Sequence, residues 1–282
     1  MEEKRMKIGP RLFDVDRNCY IMGILNYTPD SFSDGGRWNQ RDRALRHVGE
    51  MIEEGAAIID VGGESTRPGH VQISAQEEID RVTPIIEAIK ANYEIPVSVD
   101  SYKGPVVESA LEAGADMIND IWGFQYDRRV AELAAAYNVP CCLMHNRRDR
   151  NYGDFMTDLL RDLEASVAIG RAAGVRDEQV ILDPGVGFAK NHRQNLTAIH
   201  QLDRLKTLGF PVLLGTSRKS TLGYVLDLPA DQRVEATVAT TVVGVMRGAA
   251  FFRVHDVKEN YRAMRMAQAI LREVCDCTTR SM

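Results

Sequence analysis

The sequence predicts an eight-stranded (β/α)₈ barrel of the TIM type, and three observations carry this prediction. Eight short apolar runs recur along the 282 residues, helical patterns separate them, and each run ends in a polar residue or a glycine-rich turn. Buried parallel strands appear as near-continuous apolar runs, and such barrels keep their chemistry on the loops after the strand C-terminal ends. We therefore expect one α/β domain over residues 1–282, with an N-terminal extension at 1–19 and the barrel at 20–274.

The polar residues at the run ends define the predicted active-site mouth. In chain order the runs end at Asn26, Asp60, Asp100, Asn119-Asp120, His145, Asp183, Gly215 and Arg253. Because the carboxyl ends of all barrel strands meet at one mouth, these residues should form a polar ring there.

Helical patterns fill the intervals between the runs. Ser74 and Glu77 form a capping-box pattern, and Pro84 should kink or break the helix that follows. Asp154 is the expected N-cap of another helix, with an apolar stripe four residues apart from Phe155 onward. The remaining helices are expected near 41–54, 104–113, 128–138, 192–207, 218–226, 231–247 and 257–274. Residues 7–19 are interpreted as a small hairpin with a candidate turn at 16–18.

Composition excludes several classes of protein. Lys and Arg number 35 against 40 Asp and Glu, a formal charge of −5, and no basic stripe suggests a nucleic-acid partner. The N-terminus is too charged for a signal peptide, and no apolar run approaches the roughly 18 residues that span a bilayer. We expect a cytosolic protein without a membrane partner. Its five cysteines fit reduced thiols, with Cys141 and Cys142 in the core and Cys275 and Cys277 a weak metal or redox pair.

Two loops carry the strongest chemical signals. Residues 26–36, NYTPDSFSDGG, combine a carboxamide, hydroxyls, carboxylates and a glycine pair, which suits a lid but also an ordinary surface turn. Residues 60–69, DVGGESTRPG, place glycines, hydroxyls and Arg67 directly after a strand, which suits a phosphate or pyrophosphate. The second loop is not a P-loop, because the Lys-Ser/Thr helix start is missing.

Eight segments together resemble the dihydropteroate synthase family of the folate pathway. They occur in barrel order over roughly residues 20–272 and are NYTPDSFSDGG, DVGGESTRPG, SVDSYK (98–103), INDIWG (118–123), LMH (143–145), ILDPGVGFAK (181–190), LLGTSRKS (213–220) and RVHDV (253–257). The resemblance implies condensation of 6-hydroxymethyl-7,8-dihydropterin pyrophosphate with p-aminobenzoate to give 7,8-dihydropteroate and pyrophosphate. It also implies Mg²⁺ as cofactor and a homodimer.

The resemblance assigns the pterin contacts residue by residue. A pterin has a guanidine-like edge whose N3–H and 2-amino group both donate, so a buried carboxylate can accept from both. The family places Asp183 at this edge, although an Asp before Pro-Gly also begins ordinary turns. The other implied pterin contacts are Asp100, Asn119, Met144, Phe188, Gly215 and Lys219.

The other implied sites share the same mouth. The pyrophosphate contacts are Asn26, Thr66, Arg67, Arg253 and His255, and Asn26 is also the implied Mg²⁺ ligand. The p-aminobenzoate contacts are Phe32, Pro68, Phe188, Lys219 and Ser220. The catalytic group is Asp34, Arg67, Asp100 and Lys219. Arg218 is interpreted as solvated, and the remaining histidines, His47, His70, His192 and His200, as exposed.

The leaving group indicates the reaction class. Pyrophosphate on a methylene conjugated to the dihydropterin can depart with its electron pair, leaving a delocalised cation that the weakly nucleophilic aryl amine attacks. The protein then contributes positioning and electrostatics, and the sequence holds no convincing nucleophilic triad.

The sequence leaves two other functions open. A pterin-barrel methyltransferase, which moves a methyl group to a corrinoid protein, shares the pterin carboxylates but has no need of Arg67 or RVHDV. A catalytically silent pterin-binding paralogue would act as an interaction protein.

The segment HNRRDR at 145–150 departs from the family's usual His-Met-x-Gly. Residues 234–249 are small and apolar nearly all round, which suits a helix between the barrel and a twin subunit.

Overall fold

The computed structural model of the protein describes residues 4–28, 36–64 and 71–274. Within them, eight parallel strands form the expected barrel. Their bounds are β3 Tyr20–Asn26, β4 Ala56–Gly62, β5 Val97–Asp100, β6 Met117–Asp120, β7 Cys141–Met144, β8 Val180–Asp183, β9 Leu213–Leu214 and β10 Phe251–Val254. Their order in the sheet is β8-β7-β6-β5-β4-β3-β10-β9. Every predicted run is therefore a strand, and the predicted fold class is confirmed.

Two junctions bring the sheet round on itself. The first and last barrel strands pair in parallel, with Phe251 opposite Tyr20. On the other side the short β9 meets β8 through a parallel bridge between Leu182 and Val212, supported by the bond from Leu182 N to Pro211 O at 2.9 Å. Closure matters for the site, because it directs all strand C-terminal ends to one mouth.

Helices cover the barrel in the predicted intervals. Their bounds are α1 Gly36–Glu53, α2 Ala75–Asn92, α3 Gly104–Glu112, α4 Arg129–Ala136, α5 Phe155–Ala173, α6 His192–His200, α7 Ser220–Leu226, α8 Val234–Met246 and α9 Val257–Arg272. Ser74 and Asp154 are the N-caps of α2 and α5, and each side chain accepts from the backbone three residues on. The predicted helix at 192–207 is α6 followed by a 3₁₀ helix, Leu202–Leu208.

The expected break at Pro84 is wrong, since α2 runs through it. Proline removes one backbone donor from the helix and costs stability there. The residues beside it, Val82, Ile85 and Ile86, are fully buried against the barrel. Tertiary packing of this apolar face outweighs the local penalty.

The N-terminal hairpin is present but shifted from its predicted turn. Strands β1, Arg5–Ile8, and β2, Arg11–Asp14, pair antiparallel around Gly9-Pro10 and not at 16–18. Gly9 has φ +53°, a backbone conformation that glycine adopts at little cost. The hairpin buries Met6, Ile8 and Phe13 with the residues that begin the barrel strands. It therefore closes the end of the barrel opposite the strand C-terminal ends.

The cysteines and histidines follow the expectations only in part. Cys141 and Cys142 are buried as expected, whereas Cys275, Cys277 and His70 lie outside the described residues. His192 and His200 are exposed, but His47 is half-buried. No helix in the described ranges is long and apolar enough to cross a membrane.

Candidate active site

A cavity of about 750 Å³ opens at the C-terminal ends of the barrel strands. All of the predicted site residues that the structure describes line it: Asn26, Asp100, Asn119, Met144, Asp183, Phe188, Gly215, Lys219, Ser220, Arg253 and His255. These residues come from seven different strand ends, so the topology alone brings them together. Phe32, Asp34, Thr66, Arg67 and Pro68 lie outside the described residues.

Asp183 ends β8 at the floor of this cavity. Its side chain is 4% exposed, and its Oδ1 accepts from Gly185 N at 2.6 Å. A Cβ built on Gly215 would lie 3.6 Å from Asp183 Oδ2, so the glycine leaves the carboxylate open toward the cavity. Burial raises the pKa of Asp183, while the cation of Lys219 opposes that rise.

Lys219 faces Asp183 across the cavity from the end of the β9 segment. Its Nζ donates to Val186 O at 2.5 Å and lies 4.9 Å from the centroid of the Phe188 ring. Burial lowers the pKa of Lys219 to about 8, although Asp183 and Asp100 favour its charged form. A cation therefore lies against one apolar wall and near the carboxylate.

The second polar group of the cavity is a buried ionic cluster. Arg253 Nε donates to Asp60 Oδ2 at 2.6 Å, and its second terminal nitrogen donates to Asp100 Oδ2 at 2.6 Å. Asn119 Nδ2 also donates to Asp60 Oδ2, at 3.1 Å. Arg253, which the resemblance assigned to pyrophosphate, is thus already bound to two carboxylates.

Two oxygens of this cluster remain unpaired. Asp60 Oδ1 and Asp100 Oδ1 are buried and have no hydrogen-bond partner among the described residues. Such acceptors are costly unless a ligand supplies donors. Burial raises the pKa of Asp100 to about 7, in opposition to Arg253, and the nearby Asp60 carboxylate adds to the rise. Burial alone would lower the pKa of Arg253, but Asp60 and Asp100 raise it above its usual value.

Asp60 was predicted only as a member of the polar ring, without a role in the site. It is fully buried and joins Asn119 to Arg253. Its signal was available, because a carboxylate inside the apolar run AIIDV can be buried only with partners.

The apolar lining and the loop after β10 complete the cavity. Met144 packs with Ile121 and Tyr102, and Phe188 lies beside them. Ser217 Oγ bonds His255 Nδ1 at 2.9 Å and accepts from His255 N at 3.1 Å, which fixes that ring beside the cavity. Ser217 and Ile121 were not predicted. Ser217 lies in the same GTSRKS segment as the predicted Lys219 and Ser220. Ile121 directly follows the polar pair Asn119-Asp120 of INDIWG.

Arg218 does not lie in solvent as expected. Its guanidinium binds the carboxylate of Asp256, with Nε to Oδ2 at 3.0 Å. Arg233 donates to the carbonyls of Arg218 and Lys219, at 2.9 and 3.3 Å. These bonds tie the loop that carries Lys219 to the loop after β10 and to the start of α8.

Comparison with known proteins identifies the family. A model of the family described as pterin binding enzyme matches residues 22–255. A dihydropteroate synthase from Clostridium beijerinckii is 59% identical over 268 residues, which are 95% of this chain and 100% of that protein. The chain belongs to the dihydropteroate synthase family of pterin-binding enzymes. A dihydropteroate synthase from Bacillus subtilis is 50% identical over 262 residues, 93% of this chain and 92% of that one.

Solved dihydropteroate synthases also share the architecture. One from Clostridium difficile, in the presence of pteroic acid, has a TM-score of 0.90 at 48% identity and covers 92% of this chain and 99% of that one. Another, from Xanthomonas albilineans with 4-aminobenzoic acid, has a TM-score of 0.90 at 37% identity, with 95% and 98% covered. A third, from Yersinia pestis with a sulfonamide drug, has a TM-score of 0.88 at 42% identity, with 96% and 100% covered. The family expected from the sequence is confirmed.

Proposed function

We propose that this chain joins 6-hydroxymethyl-7,8-dihydropterin pyrophosphate to p-aminobenzoate by dissociative substitution, releasing 7,8-dihydropteroate and pyrophosphate. The observation that carries the proposal is the convergence in a single cavity of the open carboxylate of Asp183, the unpaired Oδ1 of Asp100, and the side chains of Lys219, Arg253 and His255. The relatives named dihydropteroate synthase and the ligands in their solved structures support the same substrates.

The pterin would occupy the floor of the cavity. Asp183 accepts from N3–H and the 2-amino group, and hydrogen bonds to a charged acceptor contribute about 1.5–3 kcal/mol each. The unpaired Oδ1 of Asp100 takes a donor from the far side of the ring, beside Asn119. Met144 and Phe188 supply the apolar walls, and Gly215 leaves room for the ring edge.

The leaving group would lie nearer the opening. Arg253 and His255 face it from the β10 end, and Arg67 and Thr66 belong to the neighbouring loop by resemblance. When pyrophosphate departs with the bonding electron pair, these donors stabilise the developing anion. Asp100 and Asp183 stabilise the pterin-methyl cation, which the aryl amine attacks. By resemblance, Asp34 also acts on this step.

The residues at this mouth show whether the site could bind Mg²⁺. The described residues hold no group of three or more His, Cys, Asp or Glu that could cage a metal ion. Asn26, which lines the cavity, carries one carboxamide oxygen. One protein oxygen fits Mg²⁺, which keeps several waters and binds substrate phosphates in place of an all-protein cage. Asn26 would hold the ion, which neutralises pyrophosphate charge when bound.

The aminobenzoate pocket would be completed by loops. Lys219, Ser220 and Phe188 provide its described side, while Phe32 and Pro68 are assigned to it by resemblance. Lys219 lies against the Phe188 ring and near Asp183, which supports placing it where the two substrates would meet.

The alternative functions are less well supported. A methyltransferase would not require the anion-binding groups at the β10 end, and the named relatives at 50% identity or more are synthases. A silent paralogue would have lost polar groups from the cavity, whereas every predicted residue that is described lies there. The cytosolic location stays a prediction.

A homodimer is also part of the proposal. On α8, Thr237, Thr241 and Gly244 are buried, while Val243 and Met246 are exposed. On α9, which packs against α8, Met266 and Ile270 are 61% and 64% exposed. Exposed apolar groups on adjacent helices suit a two-fold contact.

Light scattering at micromolar concentration tests the dimer. We expect twice the chain mass for the wild type and a monomer for Val243→Glu. The control, Leu12→Glu, places the same charge on the exposed face of the hairpin and should remain dimeric. A monomeric wild type would overturn this part of the proposal.

The catalytic proposal is tested by one assay. The purified protein with Mg²⁺ should form dihydropteroate and pyrophosphate from the two substrates. Replacing them with a methyl-folate and a corrinoid protein should give no transfer. Absence of dihydropteroate, with the pterin substrate bound in calorimetry, would favour the silent paralogue.

A further inference from the structure

A buried lysine lies behind the cavity and has no role in the chemistry above. Lys190 follows the pterin-facing segment 183–188, and its side chain is only 4% exposed. Its Nζ lies 2.8 Å from His145 Nδ1 and donates to Gly185 O at 2.9 Å and to Phe188 O at 3.0 Å. These contacts connect the end of β7 to both halves of the loop after β8.

The number of acceptors matches the protonated side chain. An ammonium has three N–H donors and no acceptor, and two carbonyl oxygens and one imidazole nitrogen lie within 3.0 Å of Lys190 Nζ. A neutral amine has only two N–H donors and could meet the ring only by accepting from Nδ1–H, which would leave a neutral ring without a proton on Nε2 for Asp162. Burial lowers the pKa of Lys190 to about 7, and the carboxylate of Asp183 acts against that decrease.

Each of the three bonds reaches a group that shapes the pterin pocket. Gly185, whose carbonyl Lys190 binds, donates its own N–H to Asp183. Phe188, the second carbonyl partner, is the apolar wall that also contacts Lys219. The backbone at Gly185 has φ +67°, and a Cβ there would lie 2.0 Å from His145 O. The loop is thus pressed against the end of β7, with no space for rearrangement at that point.

The third bond is supported from behind by a second layer. His145 Nε2 lies 3.1 Å from Asp162 Oδ2, and Arg147 also binds Asp162 through its Nε. Burial lowers the pKa of His145 to about 4, so the ring is neutral at pH 7. With Lys190 donating to Nδ1, the ring proton must lie on Nε2 and point to Asp162. The departure HNRRDR contributes Arg147 to this layer.

We propose that Lys190 is a positioning residue of the pterin pocket, whose ammonium fixes the segment 183–188 against His145 so that Asp183 and Phe188 are preorganised for the ligand. The inference rests on the proposed function for the identity of that ligand. The charged or titratable groups around Lys190 are His145, Asp162, Arg147, Asp183 and Lys219.

The main test compares wild type with Lys190→Met, which keeps the length of the side chain and removes all three donors. The probe is 6-hydroxymethylpterin in calorimetry at 15 °C. We expect the Kd to rise about 10- to 100-fold, the range set by losing bonds from a charged donor. In the assay, KM for the pterin substrate should rise by a similar factor, and kcat should fall less than tenfold. The control, Lys206→Met, removes an exposed lysine at the other end of the barrel and should leave both values unchanged.

A purely structural role would lower the Tm of Lys190→Met and leave the Kd of the folded protein within threefold of wild type. That result overturns the proposal. If Lys190→Met does not fold, two His145 variants take its place. His145→Asn keeps an acceptor near the Nδ1 position, whereas His145→Leu removes it. We expect the Leu variant to bind the pterin at least fivefold more weakly than the Asn variant, and equal affinities would contradict the proposal.

A spectroscopic readout separates this inference from the proposed function. In protein labelled with ¹⁵N-histidine, His145 should show an unprotonated Nδ1 and a protonated Nε2 at pH 7, with the Nδ1 signal displaced in Lys190→Arg. The opposite tautomer would overturn the positioning role, even if pterin binds. Failure of wild type to bind the pterin, with the expected tautomer present, would contradict the proposed function alone.

Discussion

The two ends of the barrel are built from the same eight strands but by opposite chemistry. At the N-terminal end the hairpin residues Ile8 and Phe13 pack with Met22, Leu213 and Phe251 in a closed apolar cluster. At the C-terminal end the strands finish in carboxylates, amides and cations around an open cavity. Burial stabilises the first end, whereas at the second it shifts pKa values and leaves acceptors unpaired. Stability and function are therefore separated along the barrel axis, and substitutions at each end should affect one and spare the other.

The largest expected effect is at the closed end. Phe13→Ala removes a ring that is 2% exposed and lies edge-on to Tyr20, with 4.7 Å between centroids. Such truncations typically cost about 3–5 kcal/mol of unfolding free energy. Urea denaturation should show this loss, while the pterin Kd of the folded variant changes less than twofold. Leu12→Ala, at an exposed neighbour on β2, should stay within about 0.5 kcal/mol of wild type.

The opposite pattern is expected at Asp183. Asp183→Asn replaces one acceptor by a donor at the pterin edge, and the expected loss of binding free energy is about 2–5 kcal/mol. Calorimetry with a pterin ligand measures it, and Tm should not fall. Near-normal affinity would remove Asp183 from the site and weaken the contrast between the two ends.

A smaller effect is expected in the coupling between ligands at the open end. If pyrophosphate and Mg²⁺ must bind before the aminobenzoate pocket is complete, they should tighten aminobenzoate binding by a typical coupling energy of about 1–3 kcal/mol. Titrations into protein with a pterin ligand, with and without pyrophosphate and Mg²⁺, measure the difference. Arg67→Ala should abolish it. Equal affinities in the wild-type titrations would mean that the second pocket is preformed.

The smallest expected effect is the pH dependence set by Lys219. Because its pKa is lowered to about 8, the cation that faces Asp183 is lost as pH rises past that value, and kcat/KM should fall by up to about tenfold per pH unit. The free energy of unfolding should instead rise with pH over this range. The unfolded chain retains this proton up to the ordinary lysine pKa of about 10.4, so between these values deprotonation favours the folded state. In Lys219→Arg both the fall of kcat/KM and the rise in stability with pH should vanish. If kcat/KM of this variant still falls near pH 8, another group causes the pH dependence.

Some features of both ends could be predicted from the sequence and others could not. Strands and the polar ring were predictable because apolar periodicity is local and parallel strands share one direction; Asn26, Asp100 and Asp183 needed no further information. The charge pairing of Asp60 with Arg253 was not predictable, because it joins residues 193 positions apart and depends on how the strands are staggered. The hairpin turn was misplaced because Asp16-Arg17-Asn18 has turn chemistry, while Gly9-Pro10 makes the turn that buries Phe13. The role of Lys190 was hidden for a similar reason, since its acceptor His145 belongs to another strand.

The pairing of β10 with β3 has a consequence for synthesis of the chain. Tyr20 meets Phe251 only after nearly the whole polypeptide has been made. At about 5–20 residues per second, the interval between these two residues is roughly 10–50 s. Until then β3 is an apolar edge strand with one side unpaired, the type of edge that promotes aggregation. The contact that closes the barrel therefore forms late. For most of translation the nascent chain carries β3 with an unpaired edge, which is covered only when β10 has been made.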